Sequence, residues 1–167
     1  MCSSDLEQQL KESEERFRLI AENVGDLVAM LDTEGRRLYN SPSYRSVLGE
    51  AMTPGSDSFL EIHPEDRERI RDVFRETVRT GIGRRSEFRF LLPDGTVRHI
   101  ESDGRVIRGA DGAVKHVVVV SRDISERKRA EMRLATEHGV TRVLAESESL
   151  EDAVPRIIRT IAEALDW

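Results

Sequence analysis

Residues 117–131 read VVVVSRDISERKRAE: four consecutive valines run into Arg122-Asp123-Ile124-Ser125, and charged helix formers follow. β-Branched side chains pack well on a pleated surface, whereas Glu, Arg, Lys and Ala favour helix. The stretch therefore predicts a buried strand that passes into a polar helix without a loop. Asp123 precedes Glu126 by three residues, the spacing of a capping box, and Ser125 offers a second local acceptor. A strand joined so closely to a helix is a mechanical coupling, because no flexible segment absorbs displacement between them.

Upstream of the valines the strand pattern repeats. RRSEFRFLL (84–92) is linked to TVRHIESDGRVIR (96–108) by Pro93-Asp94-Gly95, and that strand is linked to VKHVVVVSRDI (114–124) by Ala110-Asp111-Gly112. Both links are tight-turn signals, so neighbouring strands run antiparallel. Gly104 interrupts the middle strand and predicts a bulge. DLVAMLD (26–32) and RRLYNS (36–41) form another hairpin across Thr33-Glu34-Gly35.

Between these groups lies a helical middle. SPSYRSVLG (41–49) has Ser41 as N-cap, Pro42 at the first helical position and Gly49 as terminator. SFLEI (58–62) predicts a short helical turn. HPEDRERIRDVFRETVRTG (63–81) places Pro64 and acids in its first turn, Ile70, Val73, Phe74 and Val78 on one face, and Gly81 at its end. Two strands, a helical middle and three strands make an α+β domain.

Helices flank this domain. Leu10, Phe17, Ile20 and Val24 form a narrow apolar seam, so residues 7–22 predict a linker helix that pairs with a second copy or lies on the domain. Residues 126–147 continue the helix that begins after the valine strand. A last helix starts at Ser149-x-x-Asp152, a capping-box pattern, and Val154, Ile157, Ile158, Ile161, Ala162 and Leu165 form a stripe at helical spacing with Pro155 early enough to be tolerated. That stripe needs a covering partner, and a second domain cut short is the expected one. Met1-Cys2-Ser3-Ser4-Asp5-Leu6 matches the translation of a common sequencing-library adapter, so residues 1–6 are expected to be an artefact.

The chain of 167 residues is 38% hydrophobic and 35% charged with a net charge of −6. The acidic balance argues against nucleic acid as a partner, since phosphate binding uses a cationic footprint. No stretch approaches the roughly 20 apolar residues of a membrane span. A single cysteine excludes a disulfide framework, and a cytoplasmic protein is expected. No Gly-rich phosphate loop and no nucleophile elbow occurs, so no enzymatic activity is expected of the chain itself.

DLVAMLDTEGRRLYNSPSYRSVLG, HPEDR, EFRFLLPDGTVRHIES and VVVVSRDISERK, in this order, resemble a PAS domain with its C-terminal PAC portion, of the bacterial sensor-histidine-kinase type, over residues 23 to 127. TRVLAESESLEDAVPRIIRTIAEALDW (141–167) resembles the opening helices of a GAF domain. The expected organisation is an artefactual leader (1–6), a linker helix (7–22), a PAS/PAC sensory domain (23–125), a signalling helix (126–147) and the start of a GAF domain (148–167). The resemblance implies a five-stranded antiparallel sheet with helices on one face enclosing a small pocket. It also implies a homodimer through the linker helices, and a C-terminal histidine kinase or diguanylate cyclase domain in the same chain. Ser41 stands where many relatives carry Asn, and His99 where the fourth strand often carries Trp.

The relay residues are then Asp123, Ile124, Ser125 and Glu126; in the family this Asp also pairs with a basic residue near the sheet's end. Pocket candidates are Met30, Tyr44, Leu48, Phe59, Ile70, Phe74, Phe88, Phe90, Val118 and Val120, although a run of four valines leaves strand parity open by one residue. Tyr44 and Ser46 offer polar contacts to a small-molecule ligand. The cofactor is unknown and none is required: the only cysteine, Cys2, lies in the leader and leaves no pocket thiol for a flavin adduct. Of the four histidines, His63, His99, His116 and His138, none has metal-site spacing with another, and ordinary surface or packing roles outweigh haem ligation.

Overall fold

The computed structural model describes residues 25–49 and 53–164. The leader at 1–6, the linker helix expected at 7–22 and the end of the apolar stripe at Leu165 lie outside these. The chain forms two compact units that meet in sequence between Asp123 and Ile124.

The first unit is the α+β domain. Strand β1 (Leu27–Leu31) turns into β2 (Arg37–Asn40); a short helix α1 (Ser43–Leu48) and a long one α2 (Pro64–Thr80) follow. Strands β3 (Arg85–Leu91), β4 (Val97–Arg108) and β5 (Val114–Asp123) complete a five-stranded sheet in the order β2-β1-β5-β4-β3, antiparallel at each pairing. The hairpin links are local, but the β1–β5 pairing joins residues about ninety positions apart, and it makes the first and last strands central. One face of the sheet carries the core, built from Leu27, Ala29, Leu31, Phe88, Phe90, Ile100 and Val117 with Tyr44, Leu48, Phe59, Ile70 and Phe74 packed over it.

Local chemistry forms these elements. Asp32 Oδ1 accepts the amides of Glu34 and Arg36 at 2.9 and 2.8 Å, which closes the first hairpin turn, and Gly35 sits there at φ +84°. A Cβ at Gly35 would run into the Phe59 ring, so the position needs glycine for conformation and for space. Asp94 and Asp111 close the later turns by accepting from Thr96 N at 2.8 Å and Ala113 N at 3.1 Å. Helix α2 begins at His63, whose ring Nδ1 accepts from Glu65 N, and stops at Gly81 in the left-handed region.

Three local expectations change. Ser41 is not the N-cap of α1: Pro42 is, and the buried Ser41 hydroxyl instead accepts the Val28 amide at 3.0 Å, tying the start of α1 to β1. SFLEI is a hydrogen-bonded turn rather than a helix, ended by a bridge from Ile62 to Phe90. Gly104 makes no bulge; β4 runs through it, and the register shift falls at Ile107/Arg108, beside the turn.

The second unit consists of α3 (Ser125–Glu146) and α4 (Leu150–Ala164), which pack against each other. Gly139 permits the approach, since a Cβ there would sit 2.6 Å from Thr160 Cγ2. Arg156 bonds Ser147 and Glu146 across the turn, and Ser149 Oγ accepts the Asp152 amide at 3.3 Å as expected of a cap. Val154, Ile158 and Ile161 remain exposed on α4. Among the described residues, no helix is long and apolar enough to cross a membrane.

Candidate functional site

Between the sheet and helices α1 and α2 lies a cavity of about 90 Å³. Tyr44, Phe59, Ile70, Phe74, Phe88 and Phe90 line it. Two pairs of these aromatics stack edge to face: Phe59 with Phe74, centroids 5.5 Å apart, and Phe88 with Phe90 at 5.4 Å. Phe59 also carries the Arg71 guanidinium 5.1 Å from its ring centre, and Arg71 is tied to Asp57 at 2.7 Å.

The remaining pocket candidates fall elsewhere. Leu48 is buried in the core but is not among the lining residues. Met30, Val118 and Val120 belong to the opposite face of the sheet, with Val120 exposed; the inward residues are Ala29 and Leu31 on β1 and Val117, Val119 and Ser121 on β5. The reason is register. Leu27 pairs with Ser121 and Leu31 with Val117, so side chains of odd number point into the core on both strands. The sequence holds a signal for this: His116 and Arg122 share parity with Val118 and Val120, and Asp26 and Asp32 share it with Met30, which marks the even-numbered face as the polar one.

Polar residues close one end of the cavity. Arg37, on β2, is 2% exposed, and its guanidinium reaches the 56–61 turn. Nη2 donates to Glu61 Oε2 at 2.7 Å and Nη1 to Glu61 Oε1 at 3.2 Å, a bidentate ion pair. Further bonds go to Ser56 Oγ and to the carbonyls of Asp57 and Ser58. Its Nε has no acceptor among the described residues and is sealed from any water-sized molecule.

The Tyr44 hydroxyl bonds Ser121, and Ser121 Oγ lies 2.5 Å from Ser102 Oγ, so a chain of hydroxyls links α1 to β5 and β4. Burial pushes the Tyr44 hydroxyl up to about 12, the nearby Arg37 and the Ser121 bond opposing it, so it stays protonated. Arg37, Ser102 and Ser121 are lining residues that sequence reasoning missed. Polar side chains at strand positions read as solvent-facing, and only their partners reveal otherwise.

The expected relay residues occupy the joint between the units. Asp123 is the last residue of β5, Ile124 is the N-cap of α3, Ser125 is its first residue and Glu126 lies in its first turn. Ile124, rather than Asp123, thus holds the cap position, and its side chain has no acceptor to offer. Asp123 pairs with Arg98 of β4 at 3.3 Å, a basic partner of the kind the resemblance implies. Ser46 is exposed, and its hydroxyl donates to Ser43 O at 2.7 Å within α1.

None of the four histidines lines the cavity. His99 and His116 lie on the outer sheet face, His63 caps α2 and His138 is exposed on α3. Among the described residues no cluster of three His, Cys, Asp or Glu side chains is placed to hold a metal ion. The cavity is smaller than the roughly 150 Å³ in which a benzene ring is held, so it does not admit a three-ring flavin or a haem in this conformation.

Comparison with known proteins places this geometry. The family model described as PAS fold matches residues 41–121. The uncharacterized protein y4lL of Sinorhizobium fredii is 28% identical over 124 residues, which is 73% of this chain and 15% of that protein, so the chain spans a small part of its relative. Among solved structures, a sensory box histidine kinase/response regulator from Burkholderia thailandensis matches with a TM-score of 0.60 at 23% identity, covering 76% of this chain and 98% of that one. The N-terminal domain of a diguanylate cyclase with PAS/PAC sensor from Marinobacter aquaeolei matches with a TM-score of 0.55 at 22% identity, covering 61% and 97%. Both likenesses are of fold.

Proposed function

We propose that this chain is the sensory and dimerisation module of a multidomain signalling protein and is not itself an enzyme, a reading supported by the PAS-fold match over residues 41–121 and by the five-stranded antiparallel sheet. In this reading occupancy of the cavity is passed through β5 and the joint at Asp123-Ile124-Ser125 to α3. Residues 148–167 open a GAF domain, and a histidine kinase or diguanylate cyclase domain beyond it gives the output in the cytoplasm. The similar Burkholderia protein is a sensory box histidine kinase/response regulator and the similar Marinobacter domain belongs to a diguanylate cyclase, which supports both kinds of output.

One observation carries the reading. β5 is the central strand, lines the cavity with Val117, Val119 and Ser121, and is separated from α3 by Ile124 alone. A strand so placed feels what happens under the sheet and has no loop in which to lose it. Arg98 and Asp123 tie the end of β5 to β4, so breaking that pair loosens a side-chain tie at the strand's end while the Ile100–Asp123 pairing of the sheet and the core remain. Exposed ion pairs contribute about 1 kcal/mol or less, whereas allosteric coupling runs at about 1–3 kcal/mol.

The test is a fusion of the full chain ahead of a histidine-kinase catalytic region, with autophosphorylation measured for the parent and for Asp123→Ala. The variant is expected to keep its circular dichroism spectrum and to shift the kinase activity severalfold. Equal activity from both folded fusions would remove the relay from this joint.

A further inference from the structure

The chemistry of the cavity selects its occupant, and this inference rests on the sensory reading above. The hydroxyls of Tyr44, Ser121 and Ser102 bond one another, and Thr77 Oγ1 donates to Val73 O at 2.9 Å. These lining groups therefore have their main hydrogen bonds made before any ligand enters. Arg37, the one deeply buried charge in the wall, is neutralised by Glu61, and its remaining donor is sealed from the cavity. Arg84, the other charged lining residue, is exposed, and Ser58 and Ser86 are half-buried.

An anion entering this space would lose its hydration and meet no free counter-charge at depth, and a cation would find Glu61 already taken; either is costly. What remains is the surface of Phe59, Phe74, Phe88, Phe90, Val117 and Val119, which makes dispersion contacts with any molecule small enough to enter. An apolar space below the size that holds benzene, partly open to the surface beside Arg84, accepts small uncharged molecules.

We propose that the cavity is a receptor for a small, uncharged, predominantly apolar molecule, smaller than a benzene ring, and that it discriminates against carboxylates of the same size. Gly104 makes this space. It lines the wall on β4 opposite Val119, and a Cβ there would lie 3.8 Å from Val117 Cγ1 and 4.0 Å from Arg84 O, ordinary contact distances. A larger side chain at 104 is therefore admitted by the backbone and occupies the ligand's volume.

The experiment titrates the full chain with cyclopropane and with acetate, following backbone amide resonances, with xenon under pressure as a second apolar probe. Cyclopropane is expected to shift the amides of Val117, Val119 and Ser121 saturably and to bind at least about tenfold more tightly than acetate, in line with the cost of an unpaired buried charge. In Gly104→Val, and separately in Ala29→Val, the cyclopropane shifts are lost while the amide spectrum stays folded. Tighter binding of acetate overturns the ligand class and leaves the sensory reading standing. If neither cyclopropane nor xenon moves the cavity amides, the receptor itself is overturned. The relay is judged separately by the Asp123→Ala fusion.

Discussion

Arg37 is a charge held at 2% exposure by one carboxylate and three residues of the neighbouring turn. A pair of this kind adds little net stability over an apolar pair of the same shape, because removing both charges from water costs about what their attraction returns. Removing one partner is different. Glu61→Ala leaves the guanidinium buried and unpaired, and unfolding in urea is expected to show a loss of about 3 kcal/mol. Arg37→Met combined with Glu61→Leu is expected to recover most of that loss; equal destabilisation by the single and double variants would mean that the pair does not organise the turn. In sequence, Arg36 and Arg37 look alike. Arg36 is exposed and Arg37 buried because the register between β1 and β2 shifts at Met30/Leu31, a distortion that the composition of the strand does not announce.

At the scale of elements, the start of α2 is clamped to β3. Asp66 accepts from Arg89 N and Nε, both at 2.9 Å, and from Nη2 at 3.2 Å, while Glu65 takes a further bond from Nη2 at 2.9 Å. The Arg89 hydrogen bond is the main cause that holds the Asp66 carboxyl down at about 2, against an ordinary value of 3.8. A carboxyl depressed by folding stabilises fully above the unfolded value and loses that contribution as the pH falls through the folded one. The midpoint of urea unfolding is therefore expected to fall between pH 4 and pH 2, and Asp66→Asn to flatten part of that decline; an unchanged slope in the variant would assign the acid sensitivity elsewhere. This clamp explains HPEDR as a structural motif, with His63 capping, Asp66 gripping β3, and Arg67 bonding the carbonyls of Leu60 and Ile62. The valine strand shows the opposite case. Its existence was plain from four β-branched residues, but its inward face follows from pairing with β1 and so moved by one residue from Val118 and Val120 to Val117 and Val119.

At the scale of the molecule, the sheet order places β1, β5 and β4 inside and β2 and β3 at the edges. Interior strands lose their hydrogen bonds only when the sheet opens as a whole. Amide exchange is expected to be slowest in β5 and its two neighbours and faster in β2 and β3; edge strands outlasting β5 would contradict the order. The hairpin turns, the boundaries of α2 and the abrupt change of character after Val120 were legible along the chain, because each rests on residues a few positions apart: Asp32 with Arg36, His63 with Glu65, Thr77 with Gly81. The α+β class followed from counting those elements. The closure of β1 on β5, the depth of Arg37, the hydroxyl chain from Tyr44 to Ser102 and the space left by Gly104 came from contacts between segments far apart in sequence. Local preferences act over a turn or two of chain, whereas a cavity and its polarity arise where distant segments fail to fill the volume between them.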